Sequence, residues 1–257
     1  MSNIIRDRKH AAAPSAVRMP KPLVPLLQRV GAVAAAELVA VYAVGGCVRD
    51  WLLGLDRIAD LDFIVEGNGL AFAEALGRAF GASVVRHEQF GTASFVVEPD
   101  ALVPFRVHID VATCRQETYA QPAAYPKVRP GRLREDLFRR DFTINAMAMR
   151  LEPDRFGALV DPFGGLRDLR HRRLRVLHAK SFLDDPSRML RGVRFAQRYG
   201  CRIESRTAAW LRQAIRARVL AKLNRGRMRK EIDRLAAEPN PSAGFQRLGS
   251  WLSGRVV

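Results

Sequence analysis

Tyr42-Ala43-Val44-Gly45-Gly46-Cys47-Val48-Arg49-Asp50, followed by Asp60-Leu61-Asp62-Phe63-Ile64-Val65, is the stretch on which the reading of this 257-residue chain turns. Val41 to Val44 is a short β-rich run that ends at a diglycine, and Leu61 to Val65 is a second one. Thirteen residues separate Gly46 from Asp60. On a strand the side chains alternate, so Asp60 and Asp62 point to one face while Leu61 and Phe63 point to the other, toward a core. Two carboxylates side by side repel unless a cation sits between them. A surface turn would also tolerate the pair. The diglycine tips the balance toward chemistry, because a glycine pair at a strand end lets backbone N–H groups approach a phosphate at the start of a helix.

Working outward, Ser83 to Arg86, Ala93 to Val97 and Phe105 to Val111 are further short strands. The alternation from Arg106 to Asp110 aims Asp110 out of the core as a third acid. Three hard oxygen ligands on neighbouring strands suit Mg²⁺. Leu23 to Ala40 and Leu70 to Phe80 have helical spacing, the latter closed by Gly81. Five strands with few helices between them predict an α/β domain with a mixed, mostly antiparallel sheet. Residues 115–134 carry Pro122, Pro126, Pro130 and Gly131 and read as a long loop; Glu135 to Met149 resumes a helical pattern. Beyond Gly164-Gly165 a strand is expected at most over Leu174 to Leu177. Helices are expected over 185–199, 206–221 and 226–237, with Pro239 and Pro241 breaking the last. The expected organisation is a flexible tail over 1–20, an α/β head over 21–165 and an all-α neck over 166–257.

Charge divides at the same place. The chain holds 43 Lys+Arg against 26 Asp+Glu, a net of +17. Residues 1–165 contain 20 basic and 19 acidic side chains, while residues 166–257 contain 23 and 7. A neutral front joined to a strongly basic rear fits a catalytic unit attached to a unit that grips a polyanion. A genome that favours arginine is the competing explanation. The three cysteines, Cys47, Cys114 and Cys201, are far apart and form neither a metal-ligand pair nor a disulfide framework, as expected in a reducing cytoplasm. The basic N-terminus (Arg6, Arg8, Lys9) has no apolar segment behind it, and no apolar run is long enough to span a bilayer, so no membrane partner is expected.

Residues 42–50 with Asp60 and Asp62 resemble the first motif of the class II tRNA nucleotidyltransferase (CCA-adding) and bacterial poly(A) polymerase family, in the polymerase-β-type nucleotidyltransferase superfamily. Arg139-Arg140-Asp141-Phe142-Thr143-Ile144-Asn145-Ala146 is similar to its second motif, Asp161 to Leu169 to its third, and Asp185-Pro186-Ser187-Arg188, continuing to Phe195, to its fourth. Arg227 to Ile232 resembles the fifth more loosely. The motifs run in order over residues 41–235.

The resemblance implies template-independent addition of C and/or A from CTP and ATP to tRNA 3′ ends, with two Mg²⁺ held by the catalytic Asp60, Asp62 and Asp110. Gly45, Gly46, Arg49, Arg140, Asp141, Asn145, Asp185, Arg188, Arg191 and Arg194 are the candidate nucleotide-binding residues. Arg140 can pair with a triphosphate in bidentate fashion. Asp141 and Asn145, four apart, would share a helix face. Asp185 and Arg188, three apart, can read a base edge that offers an amine beside an acceptor, as cytosine and adenine do. The competing readings are an N-cap at Asp185 or Asp184 with an i,i+3 ion pair, and a stripe of solvated arginines at Arg191 and Arg194. His87, His108, His171 and His178 show no usable spacing.

In this family the loop after the third carboxylate helps the switch from C to A addition, so residues 115–134 lead to the expectation that A addition is retained. Members usually continue past the neck into helical domains that grip the tRNA, which leaves the acceptor RNA open. Poly(A) polymerase activity and a non-catalytic RNA-binding protein are the alternatives.

Overall fold

The period-two runs become strands of one sheet in the computed structural model, which describes residues 16–56, 58–101 and 103–256. In chain order α1 (Val24–Ala36), β1 (Ala40–Val44), α2 (Gly46–Leu52), β2 (Asp60–Glu66), α3 (Gly69–Phe80), β3 (Val85–His87), β4 (Thr92–Val97) and β5 (Val107–Thr113) come first. β6 (Arg115–Thr118), β7 (Lys127–Pro130), α4 (Leu133–Phe138), β8 (Ala148–Arg150) and β9 (Leu159–Val160) follow. The large sheet has the order β3-β4-β5-β2-β1-β8-β9. Its β2–β5 pair is parallel and its other pairs are antiparallel, the mixed and mainly antiparallel sheet expected.

The two faces of this sheet have different partners. Val41, Ala43, Phe63 and Val65 pack on the same side as Leu26, Leu27 and Val30 of α1 and Phe72 and Leu76 of α3, all fully or almost fully buried. Each such side chain contributes about 1.5–3 kcal/mol of burial. On the other face Tyr42, Val44 and Ile64 meet Leu133 and Leu137 of α4. The amide of Leu133 donates to Glu66, which pins the start of α4 over the far end of β2. Asp60 and Asp62, at the near end of β2, are left exposed.

Several expectations need correction. Residues 115–134 are a β-hairpin, with Arg115 paired to Pro130 and Thr118 to Lys127, rather than a loop. Its strands lack a buried face, so they lack the apolar alternation that marks a strand. The helix expected over 135–149 stops at Phe138. Phe142 is extended, its N–H held at 2.8 Å by the Asp141 carboxylate, and residues 148–150 leave as β8 to pair with β1. The helix expected over 226–237 does end at Ala236, ahead of Pro239, and Pro241 in addition starts a further helix, because Asn240 caps it and proline suits a first helical turn. Residues 1–15 of the expected tail lie outside the described residues. Residues 16–17 belong to the fold, since Ala16 bridges Ala158 and Val17 is buried.

From Gly165 onward the chain is helical except for a two-residue parallel ladder. It comprises α5 (Gly165–Arg170), β10 (Arg173–Leu174), α6 (Ser181–Asp184), α7 (Ser187–Tyr199), β11 (Arg202–Ile203), α8 (Ser205–Arg216), α9 (Arg225–Ala236) and α10 (Pro241–Leu252). The strand expected over 174–177 is shorter and begins one residue earlier, and the helix expected to reach 221 ends at Arg216. The apolar core runs unbroken from sheet to helices, with Phe142 edge-on to Phe195 at 6.0 Å.

Candidate active site

Register settles where the carboxylates stand. Across the parallel β2–β5 ladder Asp62 lies opposite Asp110, and Asp60 lies opposite His108. All four therefore share the sheet face on which α4 packs, at the end that α4 leaves uncovered. His108 Nδ1 comes within 3.5 Å of Asp110 Oδ2, so a histidine without a readable spacing in the sequence belongs to this recess. Asp62 has a pKa raised above its ordinary value. Desolvation is the largest cause and the like charges of Asp110 and Asp60 add to it, against the pull of Arg140 and His108. Among the described residues no group of three His, Cys, Asp or Glu side chains closes into a metal cage. The arrangement is an exposed acidic set on the sheet face.

Opposite the acids stands Arg140. Gly45 ends β1 with φ +74, and a Cβ there would come within 2.8 Å of Arg140 Nη1. Glycine is needed for the backbone conformation, and its missing Cβ lets the Arg140 guanidinium lie close. Arg140 is held from behind by Asp136, Nη2 to Oδ2 at 3.1 Å, and its Nε is buried with no hydrogen-bond partner among the described residues. A buried guanidinium N–H without a protein acceptor, beside a diglycine at a helix start, has the donor chemistry that binds an anion. Asp136 is fully buried and also takes Arg139, at 2.6 and 3.0 Å. Burial pushes its carboxyl up, but Arg140 and Arg139 outweigh that and hold it below the ordinary value. Asp136 was missed in the sequence, although its i+3 and i+4 spacing to the two arginines was there to read. Glu117 of β6 is a second omission: it accepts from Arg139 and Arg115 at 3.0 Å each.

The remaining candidates fall into two groups. Arg49, Asp141, Asn145 and Arg191 form a chain behind the recess. Arg49 is buried, bonded to Asp50 at 2.9 Å and to Asn145, and stacked 4.5 Å over Tyr199. Asn145 donates to Asp141 at 2.9 Å, and Arg191 Nε donates to the same carboxylate at 2.7 Å. Asp141 and Asn145 thus do meet, but across a bend and a 3₁₀ turn instead of along a helix face. Burial raises the Asp141 pKa, and Arg191 with the Asn145 bond overturns that, bringing it to about 2. Arg194 faces Glu231 at 3.9 Å and Glu238 at 3.8 Å, so Arg191 and Arg194 are paired internally and do not form a solvated stripe.

The fourth motif separates. Asp185 Oδ1 accepts from Ser187 N–H at 2.9 Å, but Asp185 precedes the N-cap position, which Pro186 occupies, and its ion partner is Arg227 at 2.7 Å, not Arg188. Arg188 is buried, donating to Ser181 Oγ at 2.6 Å and to the Arg139 carbonyl. Gly46 opens α2, with Arg49 Nη2 3.6 Å from where its Cβ would be. The cysteines are free and buried, and burial raises the thiols to about 12 at Cys47 and Cys114 and about 11 at Cys201, which leaves them unreactive. Among the described residues no helix is long and apolar enough to cross a membrane.

An acidic recess on the central strands of a mixed sheet, beside an arginine and a diglycine turn, suits a nucleotide's phosphates and their counter-cation. Residues 41–175 match the model of the poly A polymerase head domain, and the chain belongs to that family. It is 40% identical over 225 residues to an A-adding tRNA nucleotidyltransferase of Halalkalibacterium halodurans, covering 87% of this chain and 51% of the relative. It is 46% identical over 191 residues to one named likewise in Aquifex aeolicus, covering 74% and 22%. A solved CCA-adding enzyme in an apo form superposes with a TM-score of 0.84 at 40% identity, covering 91% of this chain and 54% of that one. The chain thus spans about half the length of the Halalkalibacterium relative and less of the Aquifex one.

Proposed function

We propose that the chain is the head and neck of a template-independent tRNA nucleotidyltransferase, with the head over 21–165 and the neck over 166–257. It transfers C and/or A from CTP and ATP to a tRNA 3′ end and releases pyrophosphate. The observation that carries this reading is the recess itself: Asp60, Asp62 and Asp110 on one face, opposite an Arg140 whose Nε is buried and unbonded. Asp60, Asp62 and Asp110 would hold divalent cations. Mg²⁺ is the fitting one, since it takes one or two carboxylates and completes its shell with water and substrate phosphate. When bound it supplies charge neutralisation at the phosphates and a lower pKa for the attacking 3′-hydroxyl.

The chain's own residues do the rest by position. Arg140, braced by Asp136, holds the triphosphate, and the Gly45-Gly46 backbone lies against it. Asp185 keeps Oδ2 without a protein donor among the described residues, so it can accept from an exocyclic amine. Arg188 reads the base once it turns from Ser181 and the Arg139 carbonyl. Both relatives carry A-adding names, and the hairpin after Asp110 is present, which supports A addition.

The test is to incubate the protein with Mg²⁺, CTP, ATP and tRNA lacking its 3′ end, and to sequence the products. A defined C and/or A addition is expected. A long A-tail would instead mark a poly(A) polymerase, and no extension would sink the enzymatic reading.

A further inference from the structure

α4 turns Arg134 and Phe138, one helical turn apart, away from the sheet. Phe138 is 44% exposed, an unusual position for a phenylalanine on a short helix between charged residues. It is one of three rings in contact: Phe163 lies 5.7 Å from it and His178 lies 5.2 Å from it. Arg134 sits 5.2 Å over the Phe163 ring. Desolvation, with Arg188 and Lys180 nearby, lowers the pKa of His178 to about 4, so it is an uncharged ring at neutral pH.

The rings edge a cavity of about 650 Å³ whose other walls include Glu117, Tyr119, Arg139 and Arg188. Across Arg134 a second recess of about 310 Å³ continues along α4, edged by Arg132 and Arg150. Most acids here are engaged: Glu117 accepts from Arg115, Arg139 and Tyr119, Glu66 from the Leu133 amide and Glu135 from the Arg132 amide, while Asp184 lies 3.9 Å from the uncharged His178 ring. Arg132 and Arg134 are exposed, and neither has a carboxylate partner among the described residues.

An exposed ring backed by two half-buried ones, beside guanidinium groups that have no carboxylate partner, is the kind of surface on which single-stranded nucleic acid binds, the bases stacking and the phosphates meeting the cations. We propose that the outer face of α4 holds the last unpaired nucleotides of the acceptor RNA, with a base on Phe138 and backbone phosphates on Arg132 and Arg134. This rests on the function proposed above and names where its second substrate lies. Two observations favour a strand over a free nucleotide. The cations extend along two successive recesses, and the inner wall of the larger one, Arg139 and Arg188, borders the nucleotide site where a 3′ end has to arrive.

The test uses acceptor RNA with 2-aminopurine at its last unpaired position, titrated with the protein in the absence of nucleoside triphosphates, so that no turnover is needed. Stacking should quench the probe. Phe138→Leu, which keeps the apolar bulk but loses the ring, should abolish the quench and weaken RNA binding about tenfold, and Phe138→Tyr should restore both. Arg132→Gln with Arg134→Gln should weaken RNA binding and flatten its salt dependence. ATP and CTP binding without RNA should not change. Unaltered quench and affinity in Phe138→Leu would overturn the proposal. Weakened ATP or CTP binding with RNA binding intact would overturn it too and assign the pocket to a free nucleotide. A protein that quenches the probe yet never extends RNA would leave the stacking site standing while the proposed function fails.

Discussion

At the scale of single residues, Asp62 and Gly45 show how the site trades stability for chemistry. Ionised Asp62 is disfavoured by desolvation and by Asp110 and Asp60. A carboxylate whose folded pKa lies above its unfolded value costs no stability below the unfolded value, about 3.8 here, and its full penalty is present above the folded one. Asp62→Asn, measured without divalent cations, should therefore raise Tm at neutral pH, and the gain should fade as the pH drops toward the ordinary carboxylate value. The same variant should lose roughly 10³-fold in RNA extension, because metal-borne charge stabilisation is worth several kcal/mol. A variant with full activity would refute the assignment. Gly45→Ala faces a strained φ of +74 and a Cβ 2.8 Å from Arg140 Nη1. We expect about 1–2 kcal/mol of lost stability in a denaturant titration and a raised KM for ATP and CTP. Gly45, Gly46, Asp60 and Asp62 were legible because period and spacing are local. Asp136 was not singled out: its i+3 and i+4 spacing to Arg139 and Arg140 was readable, but only its complete burial sets it apart from an ordinary helix-surface acid.

Among the elements, the β6–β7 hairpin has the clearest task. Its tip reaches the neck, with Ala123 N–H donating to the Leu183 carbonyl at 3.0 Å and Arg227 5.8 Å from the Tyr125 ring. Its first strand supplies Glu117, which helps hold Arg139. Deleting residues 118–131 spares Glu117 and removes the contact with the α6–α7 region that carries Asp185. C addition should persist and A addition should fall by an order of magnitude or more in single-nucleotide extension assays; equal loss of both would contradict this. The hairpin could not be read from the sequence because both of its faces are polar and three prolines interrupt it. α4 was assigned to a longer helix for the opposite reason: apolar residues from 135 to 149 suit a helix, while pairing of β8 with β1 claims the end of the segment.

Over the whole molecule, head and neck are fastened by charge as well as by the shared core. Asp141 follows α4, Arg191 lies in the middle of α7, and Glu231 on α9 extends the chain at 3.7 Å from Arg191. Asp141 has a folded pKa of about 2 against an ordinary 3.8. A depressed carboxylate contributes stability that is fully present above the unfolded value and is lost as the pH falls through the folded one. Asp141→Ala should destabilise the chain by about 3–5 kcal/mol at neutral pH, because it leaves Arg191 partly buried and less paired. The difference from the unaltered protein should narrow between pH 3.8 and about 2 in urea titrations, and a constant difference would count against the pair. The strong positive charge of the rear is thus partly spent on internal pairs, and the remainder is what a polyanion would meet.

The sequence by itself determined the mixed sheet, the three acids on one of its faces, the glycine turn beside them and the family that joins those features. Each rests on alternation or short spacing, which a chain carries locally. Tertiary structure decided which arginine faces the acids and which are locked away. Arg140 reaches the recess because fully buried Asp136 braces it from behind, whereas Arg49, Arg191 and Arg194, equal to it in the sequence, are consumed by Asp50, Asp141, Glu231 and Glu238. A guanidinium reads the same in any sequence; its role depends on which carboxylates the fold gathers around it and which of its N–H groups they leave over.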